Sequence, residues 1–244
     1  MASMGVPEDD LRATLLAGLQ AMQLDLNSQQ ISQLLDYLDL IAKWTRVYNL
    51  TAVRDPAEML THHLLDSLAA IRPLQRHLQH TGPGQGSRLL DVGSGAGLPG
   101  VVIAICCPAV AVTCVDTVAK KAAFIRQAAL ALKLANLTGL HARVESIAQP
   151  FDVICSRDFA SLADFTQWSA NALAPQGVWM AMKGKHPADE LAALPPGIEV
   201  FHVEQLQVPA LNAERCIVWM RAKASAACAN SKGEIRTTET HALS

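Results

Sequence analysis

Residues 88–100 read Arg-Leu-Leu-Asp-Val-Gly-Ser-Gly-Ala-Gly-Leu-Pro-Gly, an apolar strand that delivers an acid and then four glycines before an apolar run begins at Val101. Glycines at 93, 95 and 97 permit positive φ and let backbone N–H groups approach a ligand with no Cβ in the way. The pattern predicts a strand, a tight turn and a helix packed behind the turn, the arrangement of a nucleotide-cofactor loop. Gly95, Gly97 and Gly100 also satisfy the spacing G-x-G-x-x-G, so the glycines alone admit a dinucleotide as well as S-adenosylmethionine. Asp91 favours the methyl donor. A carboxylate two residues before the first glycine repels a pyrophosphate but can orient the ammonium and sulfonium end of S-adenosylmethionine.

The stretch before this loop is helical in its signals. Pro7-Glu8-Asp9-Asp10 puts acids in a first turn, and Leu11, Leu15, Leu19 and Met22 recur on one face. Ser28 can cap a second helix whose apolar face uses Ile31, Leu34, Leu35, Leu38 and Ile41. Asp55-Pro56-Ala57-Glu58 starts a third, expected to end before Pro73. Thr81–Gly86, rich in glycine, reads as a connector. The rhythm then becomes strand and helix in alternation. Strands are expected at 88–92, 110–115, 138–144, 151–156, 177–182, 198–206 and 214–221, and helices at 99–107, 118–135, 161–173 and 189–194. This is an α/β chain with a Rossmann-like, mainly parallel seven-stranded sheet, closed by an antiparallel hairpin because no good helix separates the last two strands. The expected organisation is a helical N-terminal extension over 1–80 packed on the core, a cofactor-binding domain over 87–222, and a disordered tail over 223–244, where periodicity is lost.

Charge excludes little: the net formal value is -2, but residues 117–144 carry Lys120, Lys121, Arg126, Lys133 and Arg143 and no acid, a patch that permits phosphate contact or simply a solvated helix face. Six cysteines lie scattered, mostly in apolar runs, with neither a C-x-x-C pair nor a histidine at zinc-ligand spacing, so they read as reduced core residues and no metal is expected. Acids occupy positions 8–10 where a signal peptide carries cations, and no apolar run reaches membrane length, so a cytoplasmic protein, away from membranes, is the expectation.

The carboxyl edge of the expected sheet collects the remaining chemistry. Asp116 ends the second strand, where it can accept ribose hydroxyls or cap the following helix. Arg143-Val144-Glu145 ends the third, placed to bracket an adenine. The fourth ends at Ser156-Arg157-Asp158, without the Asn/Asp-Pro-Pro-aromatic run by which amino-group methylases hold a poorly nucleophilic amine. A ring nitrogen with a free lone pair, such as guanine N7, needs only alignment with the methyl group, so no catalytic base is expected. Cys155 sits mid-strand with no base beside it and reads as packing. Arg157 can clamp a phosphate or the cofactor carboxylate, or pair with Asp158 or Asp164. Lys183 and Lys185, closing the fifth strand, suit phosphates or a base oxygen, and Arg215 is placed with them as an RNA contact. For His63 a hydrogen bond near Asp66-Ser67 is expected rather than proton transfer.

Tyr48-Asn49-Leu50-Thr51-Ala52-Val53-Arg54-Asp55, His63-Leu64-Leu65-Asp66-Ser67, the 91–100 loop with its Gly-Leu-Pro-Gly ending, Ser156-Arg157, Lys183-Gly184 and Val208-Pro209-Ala210-Leu211 follow in the order found in the RsmG (GidB) family. The chain resembles that family over roughly residues 10–222. The resemblance implies the class I methyltransferase fold, S-adenosylmethionine as cofactor, and methylation of a guanine N7 in the decoding-region loop of 16S rRNA, free or within the small ribosomal subunit; a monomer is a separate expectation that no motif carries. It also implies cofactor contacts from Gly93, Leu98, Val144, Glu145 and Arg157, beside Gly95, Gly97 and Asp116 read from the loop and strand ends. One departure is His62, where the family commonly has Arg.

Overall fold

The structure is a computed structural model that describes residues 8–80 and 86–223. The expected helix start at Pro7, the connector at 81–85 and nearly all of the expected tail lie outside the described residues.

Helix α1 (Glu8–Ala21) leads to α2 (Ser28–Tyr48), whose cap is Asn27 and not Ser28: the Asn27 side chain accepts from Gln30 N while the Gln30 side chain accepts from Asn27 N. Asn and Ser cap about equally well, and the reciprocal bond to Gln30 decides the position. The third helical stretch opens as expected, with Asp55 accepting from the N–H groups of Ala57 and Glu58. It runs through α3 (Pro56–Met59), a π-helical segment (Leu60–Leu65) and α4 (Asp66–Leu68). A further helix, α5 (Ile71–His80), was not anticipated; it holds Pro73 in its first turn, where a missing N–H costs no hydrogen bond.

The alternating part is β1 (Arg88–Val92), α6 (Gly100–Cys106), β2 (Ala111–Asp116), α7 (Ala119–Ala131), β3 (Leu137–His141), β4 (Phe151–Arg157), α8 (Leu162–Ser169), β5 (Leu173–Lys183), α9 (Ala188–Ala192), β6 (Ile198–Leu206) and β7 (Arg215–Ala222). The strands form one sheet in the order β3-β2-β1-β4-β5-β7-β6, parallel from β3 to β5. The expected hairpin exists, with β7 inserted antiparallel between β5 and β6. Strand β3 stops at His141, so Arg143 and the 3-10 turn Val144–Ser146 lie beyond the strand rather than ending it.

Alternation along each strand splits the core in two. Leu89, Cys114, Val153, Cys155, Met180, Ile217 and Trp219 face the side covered by α6, α7 and the N-terminal helices. Leu90, Val115, Ile154, Trp179, Val218 and Met220 face α8. The N-terminal helices therefore share one hydrophobic core with the sheet, with Leu15, Leu34, Tyr37, Leu64 and Leu68 wholly buried in it.

Candidate active site

Strand β1 ends in the glycine turn, and β2 ends alongside it. The Gly93 and Ser94 N–H groups both donate to the Val115 carbonyl, at 2.9 and 3.2 Å, and the Gly95 N–H donates to Asp116 Oδ2 at 3.0 Å. These three donors bind the turn to β2, so they are not aimed at a ligand as the sequence suggested. What the glycines supply is close approach: Gly93 lies at φ +66° and an ideal Cβ on it would fall 2.1 Å from the Phe159 ring.

A cavity of about 540 Å³ opens beside this turn, lined by Gly93, Asp116, Val144 and Glu145 with Val118, Phe159 and Trp168. Four of the expected cofactor residues are thus brought to one place. Asp116 is buried and fixed: Oδ1 accepts from Val118 N at 2.8 Å, Oδ2 holds Gly95, and Lys121 Nζ lies 3.8 Å from Oδ2. Asp116 therefore faces the cavity, while the helix cap expected of it falls two residues later, at Val118, from whose N–H it accepts before α7 begins. Gly95, Gly97, Leu98 and Arg157 do not line the cavity; the first three shape the turn, with the Gly97 and Leu98 N–H groups donating to Ser94 O at 2.7 and 3.0 Å.

Asp91 corrects the expectation. It has no exposed surface, and its Oδ2 accepts from Gly100 N at 2.8 Å while Oδ1 has no hydrogen-bond partner. Burial pushes its carboxyl up to about 7. It lies in register with Cys114 and Cys155 on the flanking strands, beneath the turn rather than facing the cavity. Gly100 is a glycine for steric reasons: a Cβ there would lie 2.3 Å from Cys114 Sγ and 2.7 Å from Asp91 Oδ2. The Cys155 thiol is fully buried and pushed well up by that burial, as a packed side chain should be.

The cations are less free than their sequence positions imply. Arg157 Nη1 donates to the His62 carbonyl and to Asp66 Oδ2, both at 2.9 Å, and not to Asp158 or Asp164. Arg215 Nε donates to Asp66 Oδ1 at 2.8 Å. Lys183 Nζ donates to the Ala160 carbonyl at 2.8 Å and to Glu190 at 2.8 and 3.0 Å, which holds the chain after β4 in place. Lys185 is exposed. His63 bonds to Thr51 Oγ1 at 3.0 Å instead of the Asp66-Ser67 region, and burial together with Arg157 brings it down to about 4. Among the described residues no group of three His, Cys, Asp or Glu could hold a metal, and no helix is long and apolar enough to cross a membrane.

A family model for GidB, rRNA small subunit methyltransferase G, matches residues 30–218. The chain belongs to the GidB family. Proteins named Ribosomal RNA small subunit methyltransferase G resemble it closely: one from Polaromonas sp. strain JS666 is 76% identical over 226 residues, covering 93% of this chain and 98% of that protein. Another from Acidovorax ebreus is 66% identical over 220 residues, covering 88% and 97%. Among solved structures, N-methyltransferase NodS from Bradyrhizobium japonicum WM9, in complex with S-adenosyl-l-homocysteine, has a TM-score of 0.52 at 15% identity, covering 75% of this chain and 100% of that one. TrmN from Thermus thermophilus has a TM-score of 0.50 at 22% identity, covering 67% and 53%. At such identities these likenesses show the class I methyltransferase fold. GidB membership also removes the dinucleotide alternative that the glycine spacing left open.

In this GidB chain the sequence reading missed Tyr37, Phe159 and Trp168. Asp66 was visible within His-x-x-Asp-Ser, yet nothing local announced that one carboxylate would join Arg157 and Arg215. Tyr37 had no signal beyond an apolar helix face. Phe159 and Trp168 become neighbours, in an edge-to-face contact at 5.9 Å, only once α8 packs on the sheet.

Proposed function

We propose that this chain is an S-adenosylmethionine-dependent methyltransferase acting on N7 of a guanine in the decoding-region loop of 16S rRNA. The observation that carries the reading is the GidB match, which spans the glycine turn, Asp116 and the cation-bearing strand ends.

The cavity has the features a methyl donor of this kind needs. Asp116 presents a fixed carboxylate suited to ribose hydroxyls, Val118 and Val144 offer apolar surfaces for an adenine, and Glu145 can accept from its amino group. Gly93 allows close approach while Gly95, Gly97 and Leu98 hold the turn. When bound, the cofactor supplies an electrophilic methyl group on a sulfonium. Guanine N7 presents its lone pair without deprotonation, so the residues here need only align it and accommodate the positive charge the purine acquires. Neither Cys155 nor His63 is suited to the chemical step: Cys155 is a buried thiol held in its protonated form, and His63, brought down to about 4 with Nε2 bonded to Thr51, is too weak a base near neutral pH. Lys185 is an exposed cation just beyond β5 available to rRNA phosphate, and Arg157 and Arg215 are held as a pair by Asp66. Lys183 reaches RNA only by leaving Glu190.

The test is incubation of the purified protein with labelled S-adenosylmethionine and either free 16S rRNA or small subunits, followed by nuclease digestion and mass spectrometry. Label as 7-methylguanosine within the decoding-region fragment is expected. Label at another atom, or none with either substrate, refutes the reading, and calorimetric binding of NAD in place of S-adenosylmethionine refutes its cofactor part.

A further inference from the structure

Tyr37 lies in the middle of α2, with no exposed surface, and its Oη donates to the Ala96 carbonyl at 2.5 Å. Ala96 is in the glycine turn, outside any helix or strand, and no other donor among the described residues reaches its carbonyl. The other end of the same peptide group, the Gly97 N–H, donates to Ser94 O at 2.7 Å. The 96–97 peptide plane is therefore held at both ends, and Gly97 takes φ +86° under that constraint. A rotated plane would leave two polar groups without partners in a buried site.

The ring that carries the hydroxyl is packed in the apolar core. The Tyr37 ring stacks on Phe124 of α7 at 6.3 Å, and Trp44 meets Phe124 edge-on at 5.3 Å. An ideal Cβ on Gly97 would lie 3.3 Å from Tyr37 Oη, so hydroxyl and turn fit with little slack. Burial keeps the phenol well above its ordinary pKa, which preserves it as a neutral donor.

We propose that Tyr37 is a positioning residue for the methyl-donor site, its hydroxyl fixing the glycine turn through the Ala96 carbonyl. This rests on the reading of the cavity as the methyl-donor site. The N-terminal helices then serve as part of the cofactor site as well as a cover for the sheet.

Tyr37→Phe keeps the ring and its stacking and removes only the hydroxyl. Its Kd for S-adenosylmethionine, by calorimetry on the full chain, is expected to rise about tenfold, which corresponds to about 1.4 kcal/mol. The KM for the methyl donor should rise in proportion, with kcat at saturating donor and the KM for rRNA unchanged. Phe124→Leu loosens the stack but keeps the hydroxyl, and should lower Tm while leaving donor affinity within about twofold. Wild-type donor affinity in a folded Tyr37→Phe overturns the inference, and so does an equal loss of affinity in Phe124→Leu. A wild-type chain that binds no S-adenosylmethionine overturns the reading of the cavity instead, a result separable from either.

Discussion

Replacing Asp66 by Ala should be among the most damaging single changes outside the apolar core. The carboxylate is 4% exposed, and its two oxygens accept from Arg157 and Arg215, whose side chains are 17% and 23% exposed. A charge-assisted hydrogen bond contributes about 1.5–3 kcal/mol, and removing one partner of a fully buried pair costs about 3–5 kcal/mol. Here the loss is tempered in two ways. Water can reach both guanidiniums, and each keeps a backbone acceptor, His62 O for Arg157 and Glu214 O for Arg215. About 3 kcal/mol is the expected destabilisation, read as a shift in the urea midpoint without a change in slope, and as a fall in Tm of about 6–12 °C for a chain of this size. Asp66→Asn should fall between, since an amide offers one acceptor oxygen and turns its NH₂ toward the second guanidinium. A loss below about 0.5 kcal/mol in Asp66→Ala would show that the two arginines do not depend on this carboxylate, and the account of how the helical extension is tied to β4 and β7 would fall.

Other outcomes follow from the same geometry. Asp91, pushed up to about 7 by burial, keeps its proton in the folded chain between about pH 4 and 7 while the unfolded chain has lost it, so this group makes stability fall as pH rises. His63, brought down to about 4 by burial and Arg157, stays neutral when folded while the unfolded chain is protonated below about 6.5, so it makes stability rise with pH. The two slopes oppose, and urea midpoints across pH 4–6.5 should tilt upward with pH in Asp91→Asn and downward in His63→Asn, relative to wild type; identical profiles in all three would refute both assignments. Gly93→Val should weaken S-adenosylmethionine binding by more than about tenfold in a chain that still folds, because the new side chain meets φ +66° and the Phe159 ring at the edge of the cavity. Unchanged affinity would detach the turn from the cofactor. Cys155→Ala should lose about 1 kcal/mol of stability yet keep its single-turnover methyl-transfer rate, and a tenfold slower step with unaltered binding would point to covalent chemistry at the thiol.

What the sequence by itself determined is whatever short-range rules govern. Positive φ at Gly93, Gly95 and Gly97, the cap at Asp55, the alternation of strand and helix, and the placing of Asp116 at the end of β2 all rest on conformational preferences and periodicities within a few residues. The family motifs carried the methyltransferase reading by the same kind of local pattern. The tertiary structure decided everything that joins distant residues. Tyr37 meets Ala96 across 59 positions, and Asp66 meets Arg157 across 91 and Arg215 across 149. A buried donor takes whichever acceptor the packed core brings within reach, and that choice has no signature along the chain. Asp91 shows both sides of this: its place before the glycines was legible, but whether its carboxylate faced a ligand or lay beneath the turn depended on helices α2 and α6 closing over the same face of the sheet.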